Sequence, residues 1–286
     1  MKLLSYELAG APRYGAVAGE GIVDLSRHLG TAFPTLKDLL AGGGLGRAAE
    51  IVSNSKADYR WADIRFQLPI PSPEKIICVG VNYPQRNAEY KDNSPLQERP
   101  SLFLRVTRSF VPHRSPIIRP PESIQLDYEG ELALVIGKAG RRVPSANAME
   151  YVAGFSIVNE GTIRDWIHHA KFNNAQGKNW ESSGSIGPWM ATADEFPHLE
   201  EVQIRTRVNG ELRQQDKIGN LLFPIPYLVS YISTFTRLSP GDIIATGTPT
   251  GAGVRLHPPR YLAPGDLVEV EISGLGVLSN MVADET

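Results

Sequence analysis

The sequence is short of most features that would commit it to a specialised class. Its 286 residues include one cysteine, Cys78, which excludes an internal disulfide framework and fits a reducing compartment. Neither charge is in excess: Lys+Arg 29 against Asp+Glu 31 gives a formal net charge of −2, so there is no basic field for nucleic acid or an anionic membrane surface. The longest purely apolar run, around Ile76–Val81, falls far below the roughly 18 residues that a membrane span needs. Met1-Lys2-Leu3-Leu4 is followed by Ser5-Tyr6-Glu7, too short for a signal-peptide core. These absences predict a cytoplasmic protein with no nucleic-acid and no membrane partner. The phosphate-binding loop, the H-E-x-x-H zinc helix, the C-x-x-C pair and the G-x-S-x-G elbow are also missing. Gly247, Gly251 and Gly253 lack dinucleotide-fingerprint spacing, and Cys78, inside an apolar run, reads as core rather than as a nucleophile.

Glycine and proline, by contrast, are plentiful, at 27 and 22. They punctuate short apolar runs, which predicts many short strands joined by turns. Residues 1–70 read as a small α+β unit, with strands over Lys2–Leu8, Tyr14–Ala18 and Ile22–Leu25 and helices over Leu36–Leu40 and Arg47–Val52. Leu68-Pro69-Ile70-Pro71-Ser72-Pro73 reads as a stiff connector, and a boundary is expected there. Over residues 71–286 strands are expected at Ile76–Val81, Leu102–Val106, Glu131–Ile136, Phe155–Val158, Gln203–Val208, Glu211–Gln214, Ile243–Thr246 and Leu267–Ile272. Asn209-Gly210 marks a two-residue hairpin, and Pro240-Gly241 and Pro264-Gly265 mark two turns of one type. Longer helices are expected only near Ala146–Val152 and Ile225–Phe235. The class is α+β and β-rich, with too few helices for a doubly wound sheet.

The stretch Asp127-Tyr128-Glu129-Gly130-Glu131 leads straight into an apolar strand. Strand alternation puts Asp127, Glu129 and Glu131 on one face. Like charges entering a core are costly unless a cation neutralises them, and a hard divalent ion with oxygen ligands does so. A second apolar strand, Phe155–Val158, runs into Asn159-Glu160-Gly161, where a further carboxylate would protrude. Arg164-Asp165 could form a supporting pair beside it. Thr246-Gly247-Thr248-Pro249-Thr250-Gly251 offers backbone N–H groups and hydroxyls suited to an anionic group.

Taken in order with Gly80-Val81-Asn82-Tyr83, Arg164-Asp165, Gly177-Lys178, Gly187-Pro188-Trp189, Val208-Asn209-Gly210-Glu211, Pro240-Gly241-Asp242 and Ala245-Thr246-Gly247-Thr248-Pro249, the sequence resembles the fumarylacetoacetate hydrolase superfamily over about residues 75–283. The resemblance implies a mixed β-roll catalytic domain, a homodimer, and Mg²⁺ or Mn²⁺ held by Glu129, Glu131 and Glu160. The family's usual residue at the last position is Asp. It implies that Lys178 meets a developing oxyanion, with Arg164 beside it as a catalytic residue. Thr248, Gly247, Tyr83 and Asn82 are implied to bind a pyruvate-like substrate. Family hydrolases often carry, after the Gly-x-Asn-Tyr segment, a His and three residues later a Glu that activate water. Here Glu89 matches the Glu but Arg86 stands at the His position, and arginine is no base near neutral pH. His168 and His169 are the candidates for a replacement imidazole.

The first reading is metal-dependent hydrolysis of a C–C bond in a β-diketo acid such as an acylpyruvate. The alternative keeps the same site for isomerisation or tautomerisation of a 2-hydroxydienoate, or for decarboxylation of an oxaloacetate-like acid. Neither needs a water-activating His. A non-catalytic metabolite binder is the third reading. Contacts to the substrate tail are expected from loops such as Lys91–Arg99 and His257–Tyr261.

Overall fold

A computed structural model of the protein describes residues 1–89, 95–169 and 174–286. The chain opens as a meander in which β1 (Lys2–Leu8), β2 (Ala11–Ala18) and β3 (Gly21–Val23) pair antiparallel in turn. Helices α1 (Leu25–Leu29), α2 (Leu36–Ala41) and α3 (Leu45–Ser53) follow, before β4 (Tyr59–Arg60) pairs with β3 and β5 (Arg65–Phe66) with β1. Thr35 starts α2 with a reciprocal cap: its hydroxyl accepts from the Asp38 N–H, and the Asp38 carboxylate accepts from the Thr35 N–H, which satisfies two otherwise orphaned donors.

The remainder runs β6 (Ile76–Val79), α4 (Pro84–Ala88), β7 (Leu102–Arg105), β8 (Phe110–Pro112), β9 (Ile117–Arg119), β10 (Leu126–Asp127), β11 (Gly130–Ile136), β12 (Val152–Asn159) and β13 (Thr162–Ile163). It continues with α5 (Ala175–Lys178), β14 (Gly184–Thr192), β15 (Gln203–Val208), β16 (Glu211–Lys217), α6 (Ile225–Phe235), β17 (Ile243–Ala245), β18 (Leu267–Ile272) and β19 (Gly276–Asp284). A 12-stranded sheet has the order β4-β3-β2-β1-β14-β12-β11-β17-β6-β7, with β5 and β8 added on β1 and β14. A second sheet of five strands runs β16-β15-β18-β19-β9. The N-terminal strands join the large sheet through β1 and β14, where Leu3 faces Met190.

Every residue of β11 and β12 is buried, because both faces of the large sheet are covered, as an unbroken apolar run requires. Alternation sends Leu132, Leu134 and Ile136 into a core with Leu228, Val229 and Ile232 of α6 and with Ile204, Val270 and Ile272 of the smaller sheet. It sends Ala133 and Val135 into a second core with Leu36, Leu39 and Leu40 of α2. The strand-rich α+β class is as expected. At Asn209-Gly210 both φ angles are positive, 52° and 79°, as a two-residue hairpin demands.

Two expectations are corrected. Over Ser145–Tyr151 the chain forms a 3₁₀ stretch rather than an α-helix, and Val152 already begins β12. Pro144 opens that stretch, and its carbonyl is taken by Asn147 N–H three residues on. The second concerns the strand set, which lacked the long strand β14 containing Gly184, Gly187 and Pro188. Truncating Leu134, fully buried between the two sheets, is expected to cost about 2–5 kcal/mol in denaturant titration. Met281→Ala, at a largely exposed position, should stay within about 0.5 kcal/mol of the parent.

Candidate active site

Strand register assembles the site. Antiparallel pairing of β11 with β12 sets Gly130 opposite Asn159 and Glu131 opposite Val158. This brings the start of one strand and the end of the other to one edge of the sheet. β17 and β6 end at the same edge, with Ala133 facing Ala245 and Ala245 facing Cys78. Glu129, Glu131 and Glu160 therefore meet although about 30 residues separate them in sequence, and each offers a carboxylate oxygen within 4.8 Å of the others. All three are buried. The Glu160 N–H also donates to the Glu129 carbonyl at 2.8 Å, closing the two strand ends onto each other.

Four cations surround the carboxylates. Lys178, at the end of α5, donates to Glu129 at 2.7 Å, to Thr162 Oγ1 at 2.7 Å and to Glu160, which uses all its ammonium hydrogens. Arg164 bridges Asp127 at 2.8 Å and Glu129 at 2.7 Å. Arg86, on α4, reaches Glu129 at 3.3 Å and Glu89 at 2.5 Å. Arg105, at the end of β7, reaches Glu160 at 2.6 Å. Glu131 differs: its carboxylate accepts from the Gly247 N–H at 2.8 Å, and among the described residues no cationic side chain pairs with it.

The protonation equilibria follow from this asymmetry. Burial pushes the Glu129 carboxyl up, but Arg164, Lys178 and Arg86 together outweigh burial and hold it well below its ordinary value. Burial and the neighbouring Glu160 and Glu129 charges drive Glu131 well above its ordinary value. Glu160 is also raised, chiefly by burial, with Lys178 and Arg105 opposing. Burial would lower the Lys178 ammonium, but Glu129 and Glu160 lift it above its ordinary value. An oxygen-only set of three buried carboxylates, one lacking a cationic partner, is the donor chemistry of a hard divalent ion. The residues present fit such an ion.

A cavity of about 180 Å³ opens onto this cluster, lined by Arg86, Glu129, Glu131, Glu160, Arg164 and Lys178 together with Thr248 and the apolar Val79, Phe103 and Ile167. Thr248 faces it with its hydroxyl donating to the Gly130 carbonyl and accepting from Gln214. Glu89 lies beside the cavity, one oxygen on Arg86 and the other accepting from the Gly251 N–H at 3.0 Å.

Several expected residues sit elsewhere. Asn82 is fully buried, and its amide is spent on the Phe223 N–H and on the Thr246 and Phe223 carbonyls, so it clamps the β17 exit from behind. Tyr83 packs in the core with its hydroxyl buried and without a hydrogen-bond partner among the described residues. The Gly247 N–H serves Glu131, and its φ of +100° with a would-be Cβ only 2.7 Å from Asn82 explains why glycine is needed there. Asp127 is not a fourth member of the cluster face: it accepts from the Gly253 and Val254 N–H groups and from Arg164. Arg164 and Asp165 do not pair, since Asp165 accepts from the Ser123 hydroxyl. His169 is exposed and packs on Trp166. The His168 side chain and loop positions 90–94 lie outside the described residues. Arg105 and Thr162 went unnoticed in the sequence. An arginine closing an apolar strand was the available signal for the first.

Residues 75–283 match the family described as fumarylacetoacetate (FAA) hydrolase C-terminal. The chain belongs to the fumarylacetoacetate hydrolase family. It is 38% identical over 228 residues to oxaloacetate tautomerase YisK of Bacillus subtilis (strain 168), covering 78% of this chain and 75% of that protein. It is 34% identical over 269 residues to the human mitochondrial oxaloacetate tautomerase FAHD2B, covering 92% and 84%. Among solved structures, the fumarylacetoacetate hydrolase of Exiguobacterium antarcticum aligns over 100% of both chains at 33% identity and a TM-score of 0.84. The maleylpyruvate hydrolase of Sphingobium sp. SYK-6, in complex with manganese(II) and pyruvate, aligns over 100% of both at 26% identity and 0.82. The family thus holds tautomerases and hydrolases together, and no helix among the described residues is long and apolar enough to cross a membrane.

Because Glu131 keeps its proton in the fold at pH values where the unfolded chain has lost it, the stability linked to it is complete below its ordinary value of 4.5. That stability is lost as pH rises through the elevated folded value. Glu131→Gln is therefore expected to raise the melting temperature at neutral pH in EDTA, on the order of 2–4 °C for about 1 kcal/mol in a chain of this size. It should also abolish the upward shift that Mn²⁺ gives the parent. A variant that melts lower in EDTA and still responds to Mn²⁺ would contradict this account of the cluster.

Proposed function

We propose that the protein interconverts the keto and enol forms of a small 2-oxo dicarboxylic acid of the oxaloacetate type. The observation that carries this reading is Arg86. Where the resemblance leads one to expect a histidine that activates water, a buried guanidinium is tied to Glu89 and Glu129. No described residue lining the cavity is a histidine. A route that activates water with the His–Glu pair lacks its histidine, whereas tautomerisation asks only that one proton leave C3 while another reaches the C2 oxygen. The tautomerase relatives in two distant organisms support the same choice over hydrolysis, the expectation ranked first from sequence.

Glu129, Glu131 and Glu160 would hold Mg²⁺ or Mn²⁺, which when bound supplies Lewis-acid stabilisation of negative charge on the substrate oxygens. The remaining work falls to the chain. Arg86 and Arg164 give the cavity a fixed positive wall for a dianionic acid, and the cavity volume of about 180 Å³ suits a four-carbon skeleton rather than a long acyl tail. Lys178 lines the cavity as an ammonium whose positive charge stabilises the oxygen that gains charge as the C3 proton departs. Glu89 takes the C3 proton in the enol direction and returns it to C3 in the keto direction, while the C2 oxygen exchanges its proton with solvent water. Among the described residues each Glu89 oxygen accepts a single hydrogen bond, which leaves lone-pair capacity for the proton.

The test follows the enol absorbance of oxaloacetate with Mg²⁺ or Mn²⁺ present, with product mass recorded in parallel. The expected result is an accelerated approach to keto–enol equilibrium at unchanged mass. Release of pyruvate and a carboxylic acid from an acylpyruvate, with no effect on the oxaloacetate enol, would overturn the proposal in favour of hydrolysis. Glu89→Gln should lower the tautomerisation kcat at least about 100-fold and leave KM little changed, as steady-state kinetics would show.

A further inference from the structure

We infer that Arg105 is a positioning residue that fixes the Glu160 carboxylate and thereby sets the affinity of the carboxylate cluster for its divalent ion. The inference rests on the reading of Glu129, Glu131 and Glu160 as metal ligands and goes beyond it. Glu160 is a long side chain with several rotatable bonds, placed at the end of β12, where an unrestrained carboxylate could turn along the cavity wall. Arg105 removes that freedom. Its side chain is fully buried, and it does not line the cavity, so its hydrogen bonds reach the site through Glu160 and not through the substrate.

All five of its N–H groups are committed. Nη1 donates to Glu160 Oε1 at 2.6 Å and to the Gly161 carbonyl at 2.9 Å. Nε donates to Ser109 Oγ at 3.0 Å, and Nη2 donates to Ser183 Oγ at 3.0 Å and to the Ser109 carbonyl at 3.2 Å. Its guanidinium lies over the Phe110 ring, 4.1 Å from the centroid. The two serines are themselves anchored, their hydroxyls donating to the Val106 and Trp180 carbonyls. The guanidinium is thus held on its face and along its edge, and it presents one N–H in a set direction to one oxygen of Glu160. The other oxygen, Oε2, is the one on the Lys178 side of the cluster. Such supporting partners typically govern metal affinity 10–100-fold. Lysine at this position would offer a point charge without the fork.

The test is a double-mutant cycle on the full-length protein, reading Mn²⁺ binding from the free-ion EPR signal. Arg105→Lys should weaken Mn²⁺ binding about 10–100-fold. Glu160→Asp, one methylene too short to keep Arg105 while reaching the cluster, should weaken it comparably. In the Glu160→Asp background, Arg105→Lys should then have little further effect, because a residue that acts through Glu160 is non-additive with it. Additive losses, or an Arg105→Lys protein that binds Mn²⁺ like the parent, would overturn the inference while leaving the metal site standing. No Mn²⁺ binding by the parent would instead remove the reading on which it rests. If Arg105→Lys does not fold, Ser183→Ala serves, since it removes one of the two partners of Nη2 without touching Glu160. Its loss of affinity should be smaller and should disappear in the Glu160→Asp background, and persistence there would count against the role.

Discussion

Three carboxylates sharing a buried pocket repel one another and have lost their hydration, and every other feature of this site answers that constraint. Backbone register forces the encounter, since the start of β11 and the end of β12 are opposite each other and hydrogen-bonded through Glu160 and Glu129. The cations are then distributed unequally. Glu129 meets Arg86, Arg164 and Lys178, and Glu160 meets Arg105 and Lys178. Glu131 is left with a backbone N–H. Burial without a matching charge is tolerated only where protonation or a bound cation relieves it. Glu131 is therefore the carboxylate whose charge a bound divalent ion would relieve most directly.

The same constraint bears on the chemistry. A site this rich in fixed charge can hold a small dianion and stabilise charge that builds on its oxygens, but it needs a separate group to move protons. Arg86 cannot be that group. By holding Glu89 next to the cavity, with the Gly251 N–H on its other oxygen, it fixes the position of one that can. A tautomerase requires little more, whereas hydrolysis by the His–Glu route would also require the histidine that Arg86 replaces.

Much of this was legible in the residues. Glu129, Glu131, Glu160, Lys178 and Thr248 could be placed near one another because their motifs appear in a recognisable order, and all five line the cavity. Alternation went wrong at Asp127, because the chain leaves strand geometry between β10 and β11, and Asp127 instead ties down the turn at Gly253 and Val254. Asn82 and Tyr83 carry the motif but face the interior: the Asn82 amide, in a tight strand exit, is spent on backbone groups. Arg105 was passed over for a different reason. Its importance lies in contacts to Ser109, Glu160 and Ser183, spread over about 80 residues of chain, and no local pattern announces them. β14 was missed because Gly187 and Pro188 mimic a turn where tertiary pairing with β12 and β1 overrides local preference.

The central claim, that a proton is moved at C3 and no carbon–carbon bond is broken, is tested most directly by running the reaction in D₂O and reading C3 of oxaloacetate by NMR. The account predicts protein-dependent deuterium exchange at one prochiral C3 position, faster than the uncatalysed rate and without loss of oxaloacetate. Exchange no faster than in buffer alone, or equal labelling of both positions, would contradict it.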